Sequence, residues 1–427
     1  MKKTVETGPN QTFLIKGPAK IEVVKGEISI LENILEKEKK IVITKGKALP
    51  IKTISEAVLD VYIDDEEAIQ PLEEAFPKEW TEATRLLDSL KVPATIIILG
   101  TVDSGKTSLT TFLANSAFKK GFKVAIVDSD VGQSSIGLPC FISMGIMEKT
   151  VSILSEVKLR EAYFVGSNTP SRLLHRTLTG IAVMVKKALE SGSEIVFIDT
   201  SGWVYGRSAR ELKTSLILML QPTILIALQR GEEIEHLLAP FNGSLKIVRL
   251  PAPNTYKRGR ESRKFIREIL YRKGLEDGRD ITMSLEQIRL RYTLFGSGSK
   301  ARPERFEEIK KLLGYTPVYV EESEDLLYIV LPNEEIRINK DITEFLEAKL
   351  GKPEVYLVQK RDFENVLVAF QDQSNAFVGT GIIREVDFEK REITFYTPAE
   401  KEKIRFVQLG QLKVSKEGEE LGYTKIL

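Results

Sequence analysis

Residues Gly100-Thr101-Val102-Asp103-Ser104-Gly105-Lys106-Thr107 spell G-x-x-x-x-G-K-T directly after the apolar run Ile96-Ile97-Ile98-Leu99. That order commits the chain to a strand, a tight loop and a helix, because only a turn of this kind lets successive backbone N–H groups point inward at an anion. The positive end of the following helix adds to the same concave site. Gly100 and Gly105 supply backbone geometry that a Cβ would obstruct. Lys106 is placed to reach the β- and γ-phosphates of a nucleoside triphosphate, and the Thr107 hydroxyl to meet Mg²⁺ or another divalent cation. Thr101, Val102, Asp103, Ser104 and Ser108 complete the predicted cradle.

Around the loop the pattern is strand–helix alternation. Ile96–Leu99, Val124–Val127, Tyr163–Val165, Ile195–Ile198, Ile224–Ala227 and Ile247–Leu250 are near-continuous apolar runs, as strands of a parallel sheet covered on both faces require. Residues 93–278 therefore read as an α/β domain with a mostly parallel sheet. Before it, short β-branched runs punctuated by Gly17-Pro18, Gly26 and Gly46 predict a β-sandwich over 1–70. The stripe Trp80, Ala83, Leu86, Leu87 and Leu90 predicts a connecting helix within 71–92. Residues 279–427 read as a mixed α/β, β-rich domain. In it Gly296-Ser297-Gly298-Ser299 is expected to be a flexible loop, and Gly379-Thr380-Gly381 a strand bend.

Composition narrows the chemistry. Lys and Arg number 62 against 61 Asp and Glu, so any basic site must be local. One cysteine and two histidines argue against a disulfide framework, a cysteine zinc site and a Ser-His pair. No apolar run is long enough to span a bilayer and the N-terminus has no signal-like core, which leads to the expectation of a cytoplasmic protein without a membrane partner.

The second strand ends in Asp128-Ser129-Asp130-Val131-Gly132-Gln133, where a metal-holding or base-like aspartate belongs. Asp128 and Asp130, at i and i+2, can share one face, one serving the metal shell and the other an incoming hydroxyl. Asp199, at the end of the Ile195 strand, is a rival for the metal shell. Trp203, just past Gly202, either stacks on a nucleobase or packs under its loop. From Lys257 to Lys273 the chain carries Lys257, Arg258, Arg260, Arg263, Lys264, Arg267, Arg272 and Lys273 against only Glu261 and Glu268. Arg260, Arg263 and Arg267 share a helical face. They can track a polyanionic backbone, cap the charge on a transferred phosphoryl group, or simply form a solvated face. Asn339-Lys340-Asp341-Ile342 lacks the aspartate of a guanine-reading loop, which weakens a GTPase reading.

Taken together, these residues resemble the polynucleotide 5′-hydroxyl kinase family, including the RNA kinases of tRNA splicing and pre-mRNA 3′-end processing. The likeness rests on the loop at 100–107, Asp128-x-Asp130-x-Gly132-Gln133, Gly166-Ser167-Asn168-Thr169-Pro170-Ser171, Thr200-x-Gly202-Trp203 and the arginine-rich segment. It implies a β-sandwich, a central P-loop kinase domain and a C-terminal domain. It also implies ATP and Mg²⁺ as cofactors, RNA 5′-hydroxyl ends as acceptor with DNA as an open alternative, and RNA-processing proteins as partners. By that resemblance Lys106 and Thr107 hold phosphates and metal, and Asp130 deprotonates the 5′-hydroxyl. Gln133 positions metal or acceptor, Thr169 and Pro170 belong to a clasp on the terminal nucleotides, Trp203 stacks on a base, and Arg263 and Arg267 close as a lid. The clasp departs from a Thr-Ser-Pro-like start. An ATP-binding scaffold without turnover and an NTPase of RNA maturation are the competing classes.

Overall fold

The computed structural model describes residues 1–253, 259–333 and 340–426. Lys257, Arg258 and Asn339, named above, lie outside the described residues. The chain divides into two compact units, Met1–Val165 with Thr169–Arg267, and Gly166–Asn168 with the chain from Glu268 onward.

In the first unit, residues 2–72 form two antiparallel sheets. One is built from strands Lys2–Thr7, Ala57–Ile63, Ala19–Lys25 and Lys40–Ile43. The other is built from Asn33–Leu35, Ile28–Ile30, Ala48–Thr53, Thr12–Lys16 and Ile69–Leu72. Alternate residues of these strands, such as Ile21, Val23, Leu59 and Val61, are buried, which is the half-covered pattern that gives period-two hydrophobicity. The helical stripe around Trp80 is shorter than its sequence spacing suggests. Pro71 sits in the edge strand Ile69–Leu72, where a missing N–H is tolerated, and helix begins only after Pro77, as Lys78–Ala83 followed by a 3₁₀ segment Thr84–Ser89.

The central sheet follows the order Leu159–Phe164, Phe141–Ile146, Val124–Asp128, Ile195–Asp199, Ala94–Gly100, Ile224–Gln229, Ile247–Pro251. The last five of these strands are parallel. The first two form an antiparallel extension, and Phe141–Ile146 is a strand that the sequence reading missed. Helices Lys106–Lys119, Leu174–Glu190 and Arg207–Leu220 flank the sheet. One apolar core runs from sandwich residues such as Ile51 and Val61 through Trp80 to Leu109, Phe112 and Leu113. Asn115, fully buried on the helix that follows the phosphate loop, donates through Nδ2 to the carbonyls of Leu31 (2.6 Å) and Val151 (2.8 Å). The helix carrying Lys106 is thereby fixed from behind.

In the second unit, strands from Arg279 to Tyr423 form a largely antiparallel sheet over a core containing Val368, Phe370 and Phe395. A second sheet of four strands packs with helices Pro303–Leu313 and Lys340–Leu350. The glycine–serine segment at 296–299 is not a floppy linker. The backbone N–H groups of Gly296, Ser297 and Gly298 donate to the buried carboxylate of Glu321 at 2.9–3.0 Å. Gly379–Gly381 lies inside strand Phe377–Asp387, where the pairing with Phe370 and Gln371 shifts register at Gly379, and a Cβ on Gly381 would meet the Phe370 ring at 2.8 Å. Among the described residues no helix is long and apolar enough to cross a membrane.

Candidate active site

Strand register brings the chemistry to one edge. Asp128 pairs with Asp199, and Ile98 pairs with Asp199 from the other side. Strands Val124–Asp128 and Ile195–Asp199 therefore end level, Ala94–Gly100 runs two residues further, and the phosphate loop leaves from the sheet's carboxyl edge, where open α/β sheets bind ligands. Gly105 adopts φ 96° just before helix Lys106–Lys119. A Cβ on Gly100 would come within 2.6 Å of Ser104 Oγ and 2.7 Å of the Leu228 carbonyl. Both glycines of the loop are thus required by geometry.

Lys106 is buried and donates to the Thr101 carbonyl at 2.7 Å, curling the loop around its ammonium. Thr107 Oγ1 donates to Asp199 Oδ2 at 2.6 Å. This is the threonine–carboxylate pair that grips a divalent cation in P-loop proteins. The other oxygen, Asp199 Oδ1, is buried without a partner, so the donor set fits a hard cation. Burial pushes the Asp199 carboxyl up to about 6, against the pull of the Thr107 hydroxyl and the Lys106 charge.

Asp128 has a different surrounding. Its Oδ2 accepts from the N–H groups of Ser135 and Ile136 and from the Ser134 hydroxyl, and its Oδ1 from the Asp130 N–H. The carboxylate organises the 129–137 loop, and it is Asp199 that meets Thr107. Asp130 accepts on Oδ1 from the N–H groups of Gly132 and Gln133, each at 3.0 Å, a local turn of the kind aspartate favours. Gln133 Nε2 donates to the Gly132 carbonyl at 2.7 Å, while its Oε1 is buried without a partner.

Burial, with the Asp199 charge beside it, pushes Asp128 up to about 7. An acid raised in the folded state stabilises the fold most at low pH, and that contribution is lost as the pH rises through the raised value. The window here runs from the ordinary aspartate value of about 4 to about 7. In the nucleotide-free protein the thermal midpoint should therefore fall more steeply between about pH 4 and about pH 7 than in Asp128→Asn. Parallel midpoint–pH curves for the two proteins would remove Asp128 as the titrating group.

The Thr200–Trp203 segment is fastened beside the loop. Thr200 Oγ1 donates to the Ile98 carbonyl at 2.7 Å, and a Cβ on Gly202 would lie 2.6 Å from the Val102 backbone. Trp203 is half-buried rather than packed in the core. Thr169 and Ser171 share a hydroxyl–hydroxyl bond of 3.0 Å, and buried Pro170 opens the 3₁₀ turn leading to helix Leu174–Glu190. Asn168 belongs to the second unit, where it bonds Glu420 (2.9 Å) and Tyr423 (2.6 Å).

Of the basic segment, helix Arg260–Gly274 carries the described residues. Arg263 pairs with Asp103 of the phosphate loop at 2.6 Å, and its Nε is buried without a partner. Arg260 is exposed and Arg267 half-buried on the same helix. Arg230, which sequence reasoning did not single out, donates to the Asp103 carbonyl at 3.3 Å and the Pro253 carbonyl at 3.1 Å. Lys213 was also missed. It is buried on helix Arg207–Leu220, and burial pushes it down to about 7. Its signal was available, since it shares the apolar stripe of Ala209, Leu212, Leu216 and Ile217. Among the described residues no group of three or more His, Cys, Asp and Glu side chains forms a metal site. A cation here would therefore take part of its shell from bound phosphate and water.

Residues 100–274 match the model of the CLP1 P-loop of the mRNA cleavage and polyadenylation factor. The polyribonucleotide 5′-hydroxyl-kinase of Methanocaldococcus jannaschii is 32% identical over 350 residues, covering 81% of this chain and 94% of that protein. The polyribonucleotide 5′-hydroxyl-kinase of Pyrococcus furiosus is 32% identical over 348 residues, covering 81% and 95%. In fold, the chain is similar to wild-type Clp1p in its complex with Pcf11p, with a TM-score of 0.65 at 13% identity over 97% of this chain and 98% of that one.

Proposed function

Because the chain belongs to the polyribonucleotide 5′-hydroxyl kinase family, we propose that it transfers the γ-phosphate of ATP to the 5′-hydroxyl end of RNA at the edge described above. The observation that carries the reading is the Thr107–Asp199 pair beside buried Lys106, level with the end of strand Val124–Asp128, two residues before Asp130. Buried polar atoms without partners support it. Ser104 Oγ, Gln133 Oε1, Asp199 Oδ1 and Arg263 Nε all belong to this site, and such groups are costly unless a polar ligand meets them.

In this mechanism the loop N–H groups and Lys106 hold the triphosphate. Thr107 and Asp199 hold the cation, which neutralises charge on the phosphates when bound. Phosphoryl transfer asks mainly for in-line placement and charge cancellation. Asp130 is the acceptor's base. Its Oδ1 is occupied by two backbone donors, so Oδ2 is the oxygen turned to the 5′-hydroxyl, and it takes the proton as that hydroxyl oxygen attacks. Arg263, drawn to the loop by Asp103, caps charge on the transferred group, and Arg260 and Arg267 extend the basic face. Thr169, Pro170, Gln133 and Trp203 hold the terminal nucleotides. DNA ends share this chemistry and are a second acceptor to test.

The direct test is γ-labelled ATP with an RNA bearing a 5′-hydroxyl. Label on the oligonucleotide is expected, whereas label released only as free phosphate would make the protein an NTPase, and no turnover would make it a scaffold. Trp203→Ala should raise the KM for RNA about tenfold or more, the scale of one base–aromatic stack, with the KM for ATP unchanged. An unaltered RNA KM would mean that the indole is merely packed.

A further inference from the structure

Lys213 takes no part in the chemistry just described, yet its side chain is 2% exposed. Withdrawing an ammonium from water is costly unless specific partners compensate it. A buried titratable group beside a site is a candidate for a role there. The compensation is local. Nζ donates to the Ser201 carbonyl at 2.9 Å and lies 3.4 Å from the Ser201 hydroxyl. The charges of Asp130 and Asp199 also act on it favourably, and that of Lys106 unfavourably.

Ser201 is the residue before Gly202 and Trp203. The rest of the segment is tied down from several sides. The Asp199 carbonyl accepts from the Ser129 N–H (2.9 Å) and hydroxyl (2.8 Å). Thr200 is bonded to Ile98, and the Val204 carbonyl lies 2.9 Å from His236 Nε2. Between these anchors, the Ser201 carbonyl is held by Lys213.

We propose that Lys213 is a positioning residue for the acceptor, its buried Nζ donating to the Ser201 carbonyl and so fixing how Gly202 and Trp203 leave the sheet edge beside the phosphate loop. The inference rests on the reading of Trp203 as an acceptor contact. A lysine suits the place because Nζ reaches both the carbonyl and the hydroxyl of Ser201 and, when protonated, also answers the negative charge of Asp130 and Asp199. Since Nζ is bonded to Ser201, its effect falls on RNA placement rather than on the phosphates.

The chain has two tryptophans, and Trp80 is buried among Phe76 and Phe112. In a Trp80→Phe background Trp203 is the sole indole, so acrylamide quenching reports its segment directly. Lys213→Met keeps an unbranched apolar stem, one atom shorter than lysine, and removes the donor. Lys213→Gln keeps a neutral donor one atom shorter. With folding checked by thermal midpoint, Lys213→Met should raise the KM for RNA about tenfold, the scale of one lost charge-assisted hydrogen bond. Its KM for ATP should stay within about twofold, Trp203 quenching should increase, and Lys213→Gln should fall between Met and wild type.

Wild-type RNA KM and quenching in a folded Lys213→Met protein would overturn the inference. So would a fall in kcat with a raised KM for ATP and an unmoved KM for RNA, which would assign the charge to the phosphates. Should the methionine variant not fold, Lys213→Gln decides by the same readouts, shifts in both supporting the proposal and wild-type values overturning it. If Trp203→Ala leaves the RNA KM unmoved, the acceptor reading fails and takes this inference with it. A raised KM in Trp203→Ala beside wild-type behaviour of the lysine variants overturns this inference alone.

Discussion

Lys106→Ala should abolish labelling of a 5′-hydroxyl RNA, with a loss of about 10²–10³ or more in kcat, the scale of removing one preorganised group that stabilises transition-state charge. The structural reason is specific. The ammonium sits inside the curl of the phosphate loop, bonded to the Thr101 carbonyl at 2.7 Å and shielded from solvent. In such a place a charge acts on phosphate oxygens with little solvent screening. The fold should survive, because residue 106 begins the helix Lys106–Lys119 and alanine is the best helix former. Asn115 and the Phe112 face anchor that helix independently of the loop. The measurement is single-turnover transfer beside a circular dichroism melt. Activity within tenfold of wild type in a folded variant would mean that the lysine does not hold the phosphates and that the site has been misread.

The features that sequence alone revealed are those in which chemistry is tied to backbone order. The glycine loop must follow a strand and open a helix, and continuous apolar runs must be buried strands, so Ala94–Gly100, Val124–Asp128 and Ile195–Asp199 were legible. The ranking of the aspartates was not, since Asp128 and Asp199 both end strands at the same level. What separates them is the fold of residues 134–136 back onto Asp128 and the reach of Thr107 to Asp199, contacts that no local pattern encodes. The hairpin strand Phe141–Ile146 was lost because it stands where strand–helix alternation leads one to expect a helix. The Gly296–Ser299 loop looked flexible because the carboxylate that orders it, Glu321, lies 23 residues beyond Gly298. Lys213 was legible in principle. A lysine inside the stripe of Ala209, Leu212, Leu216 and Ile217 contradicts amphipathic patterning, and such contradictions concentrate at functional sites.

Asp130→Asn is the sharper test of mechanism, and its expected result is a fall in kcat of about 10²–10⁴, the range for loss of a general base, with ATP affinity and the KM for RNA little changed. Asparagine keeps the size of the side chain, and its Oδ1 can still accept from the Gly132 and Gln133 N–H groups that hold the aspartate at 3.0 Å. The turn should therefore persist, and what is lost is the oxygen that takes the proton. A drop in kcat with intact binding is the signature of an interaction made only in the transition state. Asp199→Asn serves as the contrast. It alters the carboxylate bonded to Thr107 at 2.6 Å, so its defect should ease as divalent cation is raised, while that of Asp130→Asn should not. Normal turnover in Asp130→Asn would remove this aspartate as the base. Rescue of both variants by the same cation increase would instead make Asp130 part of the metal shell, leaving the hydroxyl's proton to another acceptor.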